Sequence, residues 1–193
     1  MRHILSAVIE PGTPGRRRFL ALGAAALSLP FAARLRGFTS PLTLPPDRGL
    51  SFYNTHTGES AAVDYCRAGS LVPESLQRIN HILRDTRTGE VRAIDVGLLD
   101  LLNVLARTAG AAAPFHVISG FRSVDTNEFL RTNGGGGVAA NSLHLVGKAV
   151  DIRVPGLGLN ELYRMAVGLR AGGVGIYPGS DFVHVDVGRV RSW

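Results

Sequence analysis

Four stretches of this chain read as helical, the first two by apolar residues at helical spacing. Pro73–Thr86 places Leu76, Ile79, Ile82 and Leu83 on one side, with Pro73 suited to a first turn. Asp95–Ala109 places Leu98, Leu102, Leu105 and Ala109 on one stripe and ends at Gly110. Asp125 and Glu128 have capping-box spacing for a short helix reaching about Thr132. Asn160–Leu169 is the fourth, stopped by Gly172 and Gly173. Strand-like stretches alternate with these. Leu50–Thr55 and Ala61–Cys66 flank His56-Thr57-Gly58-Glu59 as a hairpin, and His116–Ile118 is a short strand leading into Ser119-Gly120-Phe121-Arg122.

The last fifty residues hold the clearest period-two pattern. In Ala149–Val154, Val150, Ile152 and Val154 share one face, with Asp151 and Arg153 on the other. In Phe182–Val187, Val183, Val185 and Val187 oppose Phe182, His184 and Asp186. The element order predicts an α+β domain, a small, mainly antiparallel sheet with helices packed on one side. Gly134–Gly137, four glycines in a row, read as a mobile loop, with a lid and an idle insertion both open.

Charge changes the picture at the N-terminus. Residues 1–40 hold six arginines against Glu10, whereas residues 41–193 hold 15 basic against 14 acidic residues. Of the excess of +6, +5 therefore belongs to a leader, which removes the main support for a nucleic-acid-binding role. Within the leader, Arg16-Arg17-Arg18 precedes an uncharged run from Phe19 to Ala33, shorter than the ~20 residues of a membrane-spanning helix. Arg16-Arg17-x-Phe19-Leu20 is similar to a twin-arginine export signal. Residues 1–40 are thus expected to be a signal segment and residues 41–193 a periplasmic domain, an uncleaved membrane anchor being the alternative. One cysteine, Cys66, excludes an internal disulfide and a cysteine-based zinc site.

Chemistry concentrates in two segments. If the branched residues fill the core, His144, Asp151, His184 and Asp186 meet on the opposite face of the sheet. Two imidazoles and a carboxylate form a zinc ligand set that leaves a position for water, and zinc would acidify that water. Gly147 would let the chain turn between His144 and Asp151. Spacing alone leaves open a second reading, a solvated polar sheet face, because nothing in it forces the two segments together.

Five motifs in order carry a resemblance over residues 50–193: NTHTGES from Asn54, SGFRSVDTN from Ser119, the S-x-H-x-x-G-x-A-x-D run from Ser142, RAGGVGIYP from Arg170, and the ending FVHVDVGRVRSW. Together they resemble the zinc D-alanyl-D-alanine carboxypeptidase and murein endopeptidase superfamily, which shares its fold with the Hedgehog signalling domain, and more narrowly the YcbK-type murein endopeptidases. The resemblance implies His144, Asp151 and His184 as Zn2+ ligands. It implies Arg122 facing the substrate carbonyl or carboxylate, where a guanidinium can stabilise an oxyanion, a structural ion pair with Asp125 or Asp151 being the alternative. Asp181, three residues before His184, is the expected general base, with a surface carboxylate as the other reading. Asp186 suits a partner that holds a ligand imidazole in one tautomer, and is the fallback base. His116 is read as a packed histidine, His56 and His81 as non-catalytic.

The function so implied is a murein endopeptidase acting on the peptide cross-links of peptidoglycan stem peptides. A carboxypeptidase trimming D-amino acids and a non-catalytic peptidoglycan- or zinc-binding module stay open beside it.

Overall fold

The computed structural model describes residues 44–110, 113–133 and 138–193. The expected signal segment and the Gly134–Gly137 loop therefore lie outside the described residues. No helix among the described residues is long and apolar enough to cross a membrane.

The chain begins with the expected hairpin, β1 (Arg48–Asn54) and β2 (Ser60–Arg67), extended by the two-residue β3 (Ser70–Leu71). Helices α1 (Pro73–Ile82) and α2 (Val96–Thr108) follow. The first is four residues shorter than its apolar spacing suggests. Its end is set by Asp85, whose carboxylate turns the chain by accepting from the Arg87 and Thr88 amides. Asp95 caps α2 by accepting from the Gly97 amide at 2.8 Å.

Next come β4 (Phe115–Ser119), α3 (Val124–Asn133), β5 (Ala149–Arg153), α4 (Leu159–Leu169), β6 (Gly173–Tyr177), β7 (Phe182–Asp186) and β8 (Arg191–Ser192). The N-terminus of α3 is capped by Ser123, whose hydroxyl accepts from the Thr126 amide, rather than by an Asp125–Glu128 capping box. Glu128 instead pairs with Arg131 one turn on. Strands β3, β6 and β8 escape the sequence reading because glycine is poor in strands and two residues show no period.

All eight strands join one sheet in the order β3-β2-β1-β4-β5-β7-β6-β8. It is mixed rather than purely antiparallel, since β1 pairs with β4 and β6 with β8 in parallel. One face is apolar. Leu50, Phe52, Val117, Val150, Ile152, Val183 and Val185 pack under Ile79 of α1, the leucines of α2 and Leu162 and Ala166 of α4 in one core. Among the described residues α3 adds nothing to that core, so three helices, not all four, back this face. The opposite face is the one that carries chemistry.

Candidate metal centre

Strands β5 and β7 are central, antiparallel neighbours whose register sets Asp151 directly opposite His184 and Ala149 opposite Asp186. Cβ atoms of such pairs lie about 5 Å apart, so two residues 33 positions apart in sequence become side-chain neighbours. The same register puts Ile152 against Val183 and Val150 against Val185 on the core side. Burying the valines thus forces the polar pair together, which the spacing could not reveal.

His144 arrives from a single 3-10 turn, Leu143–Val146, opened by Ser142, whose hydroxyl accepts from the His144 amide. Gly147 closes it at φ +67°, a left-handed conformation natural to glycine, with its Cα hydrogen against the Ala93 carbonyl where a side chain would collide. The chain then enters β5 two residues before Asp151.

Three atoms converge. His144 Nε2 lies 3.1 Å from His184 Nδ1, His184 Nδ1 lies 2.8 Å from Asp151 Oδ1, and His144 Nε2 lies 3.2 Å from the same oxygen. All three residues are at least nine-tenths buried. The outer nitrogens fix the tautomers. His144 Nδ1 donates to the Gly120 carbonyl at 2.6 Å and His184 Nε2 to Asp186 Oδ2 at 3.1 Å. Two imidazole lone pairs and a carboxylate oxygen therefore face one another with no N–H between them, an arrangement that repels unless a cation sits there. Donors at ~2.0–2.1 Å around a tetrahedral ion stand about 3.3–3.4 Å apart, only slightly wider than this triangle. Size and chemistry both fit a divalent metal.

The surrounding charges prepare the donors. Burial opposes ionisation of Asp151, but His144, His184 and the Arg122 guanidinium outweigh it and hold the carboxyl far below the usual range. Burial pushes the His144 imidazole down, toward the neutral form a ligand needs. His184 is penalised by burial too, yet the carboxylates of Asp151 and Asp186 beside its two nitrogens raise it. Asp186 is fully buried and saturated. It accepts from the Gly173 and Gly188 amides at 2.9 and 2.8 Å and from Arg191 Nη2 at 2.7 Å, besides His184.

Arg122 bonds Asp151 Oδ2 through Nη2 and Ser119 Oγ through Nε at 2.7 Å. It thus turns the second carboxylate oxygen away from the triangle. Its own backbone is clamped: Phe121 N donates to the Leu83 carbonyl, while the Ser123 amide and hydroxyl both donate to Asp85 at 2.7 Å. Asp181 does not join this cluster. It stands at φ +53° between β6 and β7, two-thirds exposed and paired with Arg153 at 2.7 Å.

The triad lies in a cleft of about 720 Å³. On the β4 side the cleft is lined by His56, Arg84 and Arg122, on the β6 side by Tyr177 and Trp193. His56 Nε2 donates to the Ile118 carbonyl at 2.9 Å. His116 packs on Tyr53 opposite Arg153, and burial with that arginine lowers its pKa. His81 is exposed, 3.7 Å from Glu59.

Sequence reasoning missed the aromatic wall and Asp85. For the wall the signal was there: in Gly173–Tyr177, Val174 and Ile176 alternate with Gly173, Gly175 and Tyr177 at period two. Asp85 carries no pattern, since its role depends on a contact 38 residues away.

Residues 44–193 match the family model described as peptidoglycan L,D-endopeptidase MepK. The chain is 41% identical over 181 residues to peptidoglycan L,D-endopeptidase MepK of Escherichia coli strain K12, covering 92% of this chain and 96% of that one. It is 36% identical over 179 residues to probable peptidoglycan L,D-endopeptidase MepK of Haemophilus influenzae, covering 92% and 95%. With that extent of likeness and a His-Asp-His cluster able to hold a metal ion, the chain belongs to the MepK family of M15 metallopeptidases.

Proposed function

We propose that this protein is a zinc-dependent L,D-endopeptidase of peptidoglycan, cutting peptide cross-links between stem peptides. The observation that carries the proposal is the convergence of His144 Nε2, His184 Nδ1 and Asp151 Oδ1 within 3.2 Å of one another at the floor of a cleft. Zinc is favoured over harder ions because two of the three donors are imidazoles. When bound, it supplies Lewis acidity that polarises an amide carbonyl and acidifies water.

The cleft supports an endopeptidase over an enzyme that trims chain ends. In strand order Asp151 and His184 of the triad sit on β5 and β7, with cleft-lining residues both on the β4 side and on the β6 side. A peptide bond at the triad therefore has room for chain in both directions. Of the two common diaminopimelate cross-links, L,D specificity selects the one between two diaminopimelyl residues, in which an L-centre carbonyl is joined to a D-centre amine.

The chain's own groups divide the work. Asp186 holds His184 in the tautomer that presents Nδ1, and Gly120 does the same for His144. Arg122 orients Asp151 and stands beside the reacting carbonyl, where its guanidinium offsets developing negative charge. For the proton we assign Asp181. Asp151, Asp186 and Asp85 are buried and engaged by several donors each, whereas Asp181 is exposed, held by Arg153 alone, and placed between the cleft-lining Ser180 and Phe182. A carboxylate so placed can accept a proton from water and pass it to the leaving amine.

Peptidoglycan as substrate fits a periplasmic protein, with residues 1–40 as its twin-arginine-type signal. The test is a digest of purified sacculi resolved by mass spectrometry. We expect release of products cut between diaminopimelyl residues, loss of that release with a chelator, and its return with added zinc. Products cut only at terminal D-residues would overturn the endopeptidase assignment.

A further inference from the structure

The β6 side of the cleft is built more elaborately than a wall needs to be. Gly175 faces the cleft opposite His184 in the β6–β7 register, and a methyl group there would lie 2.5 Å from Cε2 of the Trp193 indole. Glycine at 175 is what lets the indole rest on the sheet. Trp193 Nε1 donates to Tyr177 Oη at 2.9 Å, and Tyr177 stacks on Phe182 at 4.6 Å between centroids. The Arg191 guanidinium also lies 4.8 Å from the indole centroid while holding Asp186. Three neighbours thus fix an aromatic residue that still exposes 46% of its surface. An exposed apolar surface held this firmly costs little ordering entropy when a ligand covers it.

Its position selects the ligand. The indole centroid is 5.4 Å from that of His184, a member of the metal triad. One extended residue spans about 3.5 Å, so only a residue joined by the scissile bond reaches this ring from a carbonyl at the triad. In the cross-link proposed above both such residues are diaminopimelyl, and the occupant is the one that supplies the scissile carbonyl, because only its side chain is free, running from the L-centre to a D-centre that carries a carboxylate. Its arm of three methylenes suits the indole face, and its far carboxylate needs a donor. Tyr177 provides one, because Oη accepts from the indole and keeps its own proton to give.

We propose that Trp193 and Tyr177 form a specificity subsite for diaminopimelate, the indole covering its methylene arm and the Tyr177 hydroxyl donating to its far carboxylate. This rests on the L,D cross-link reading, and the experiment separates the two. Trp193 is the single tryptophan of the chain, so its emission reports occupancy without turnover.

The full chain is titrated with the stem tripeptide ending in meso-diaminopimelate and with its counterpart ending in lysine, which lacks the second carboxylate. We expect a saturable change in emission at least tenfold tighter for the diaminopimelate peptide, with Tyr177→Phe reducing that preference below threefold. On a diaminopimelate-linked dimer, Tyr177→Phe should raise KM about tenfold and leave kcat within threefold, which a merely structural loss would not do. Emission unmoved by either peptide at millimolar concentration, or an undiminished preference in Tyr177→Phe, overturns the subsite, even if the dimer is cleaved. An emission response without any cleavage overturns the endopeptidase reading and upholds the subsite.

Discussion

The two faces of one sheet follow opposite rules here. On the helix-backed face of β5 and β7, Val150, Ile152, Val183 and Val185 are all fully buried and contribute by leaving water. On the cleft face of the same two strands, Asp151, His184 and Asp186 are almost equally buried yet carry charge, lone pairs and fixed tautomers. Burial on the first face is its own reward in free energy. On the second it is a cost, offset by Arg122 and Arg191, and by a cation when one is held among the three donors. The first face makes the fold; the second spends fold stability on a prepared site.

Substitutions on the two faces should therefore separate stability from activity. His144→Ala removes a donor that the core does not need. We expect at least a thousandfold loss of cross-link cleavage, with a melting temperature within a few degrees of the wild-type metal-free protein. Ile152→Ala, one residue from Asp151 but facing the helices, should do the reverse. It should lose about 2–5 kcal/mol of stability by cavity formation while keeping most activity well below its melting point. A large activity loss in a stably folded Ile152→Ala protein would show that the faces are coupled and break the contrast.

Two carboxylates of the cleft face sharpen it further. Asp181→Asn should lower kcat about a hundredfold with metal content, KM and melting temperature unchanged, since an exposed ion pair is worth ~1 kcal/mol or less. Wild-type turnover in this variant would move the proton to another group. Asp186→Asn should act on the metal instead, weakening zinc affinity by about 10–100-fold as read by competition with a chromogenic chelator. Unchanged affinity would mean that Gly173, Gly188 and Arg191 position His184 without the carboxylate.

Much of this contrast was legible in the sequence, for a physical reason. Alternation in Ala149–Arg153 and Phe182–Asp186 assigns each residue to a face, and the face assignments of Asp151, His184 and Asp186 agree with the structure. The amphipathic spacing of α1 and α2 likewise shows which sides meet the sheet. What could not be read was pairing. That β5 neighbours β7 while β6 lies beyond it is a tertiary choice, as is the parallel seam between β1 and β4. Glycines hid the aromatic wall, because Gly172 and Gly173 read as a helix stop and drew attention from Gly175, the floor beneath Trp193. The Arg122 segment was visible as a motif, but its support by Leu83 and Asp85 depends on a contact across the cleft.

Asp85 offers the mildest test, because it lies at the edge between the two regimes: buried like the core, charged like the site. Burial disfavours its ionised form, but the Ser123 hydroxyl and the amides of Ser123 and Arg87 outweigh that and pull its pKa down to about 2. An unfolded aspartate titrates near ~3.9. A folded pKa below the unfolded one gives stability that is complete above about pH 4 and lost as pH falls toward 2, on the order of 2 kcal/mol in all, with about half gone by pH 3. Asp85→Asn presents an amide where two donors of Ser123 converge, so it should cost about 1–3 kcal/mol at pH 7. Denaturant midpoints of wild type and Asp85→Asn should therefore stand apart at pH 7 and draw together at pH 3. A gap that stays constant across that range would mean that the shape of the Asp85 side chain, and not its charge, holds the Arg122 segment in place.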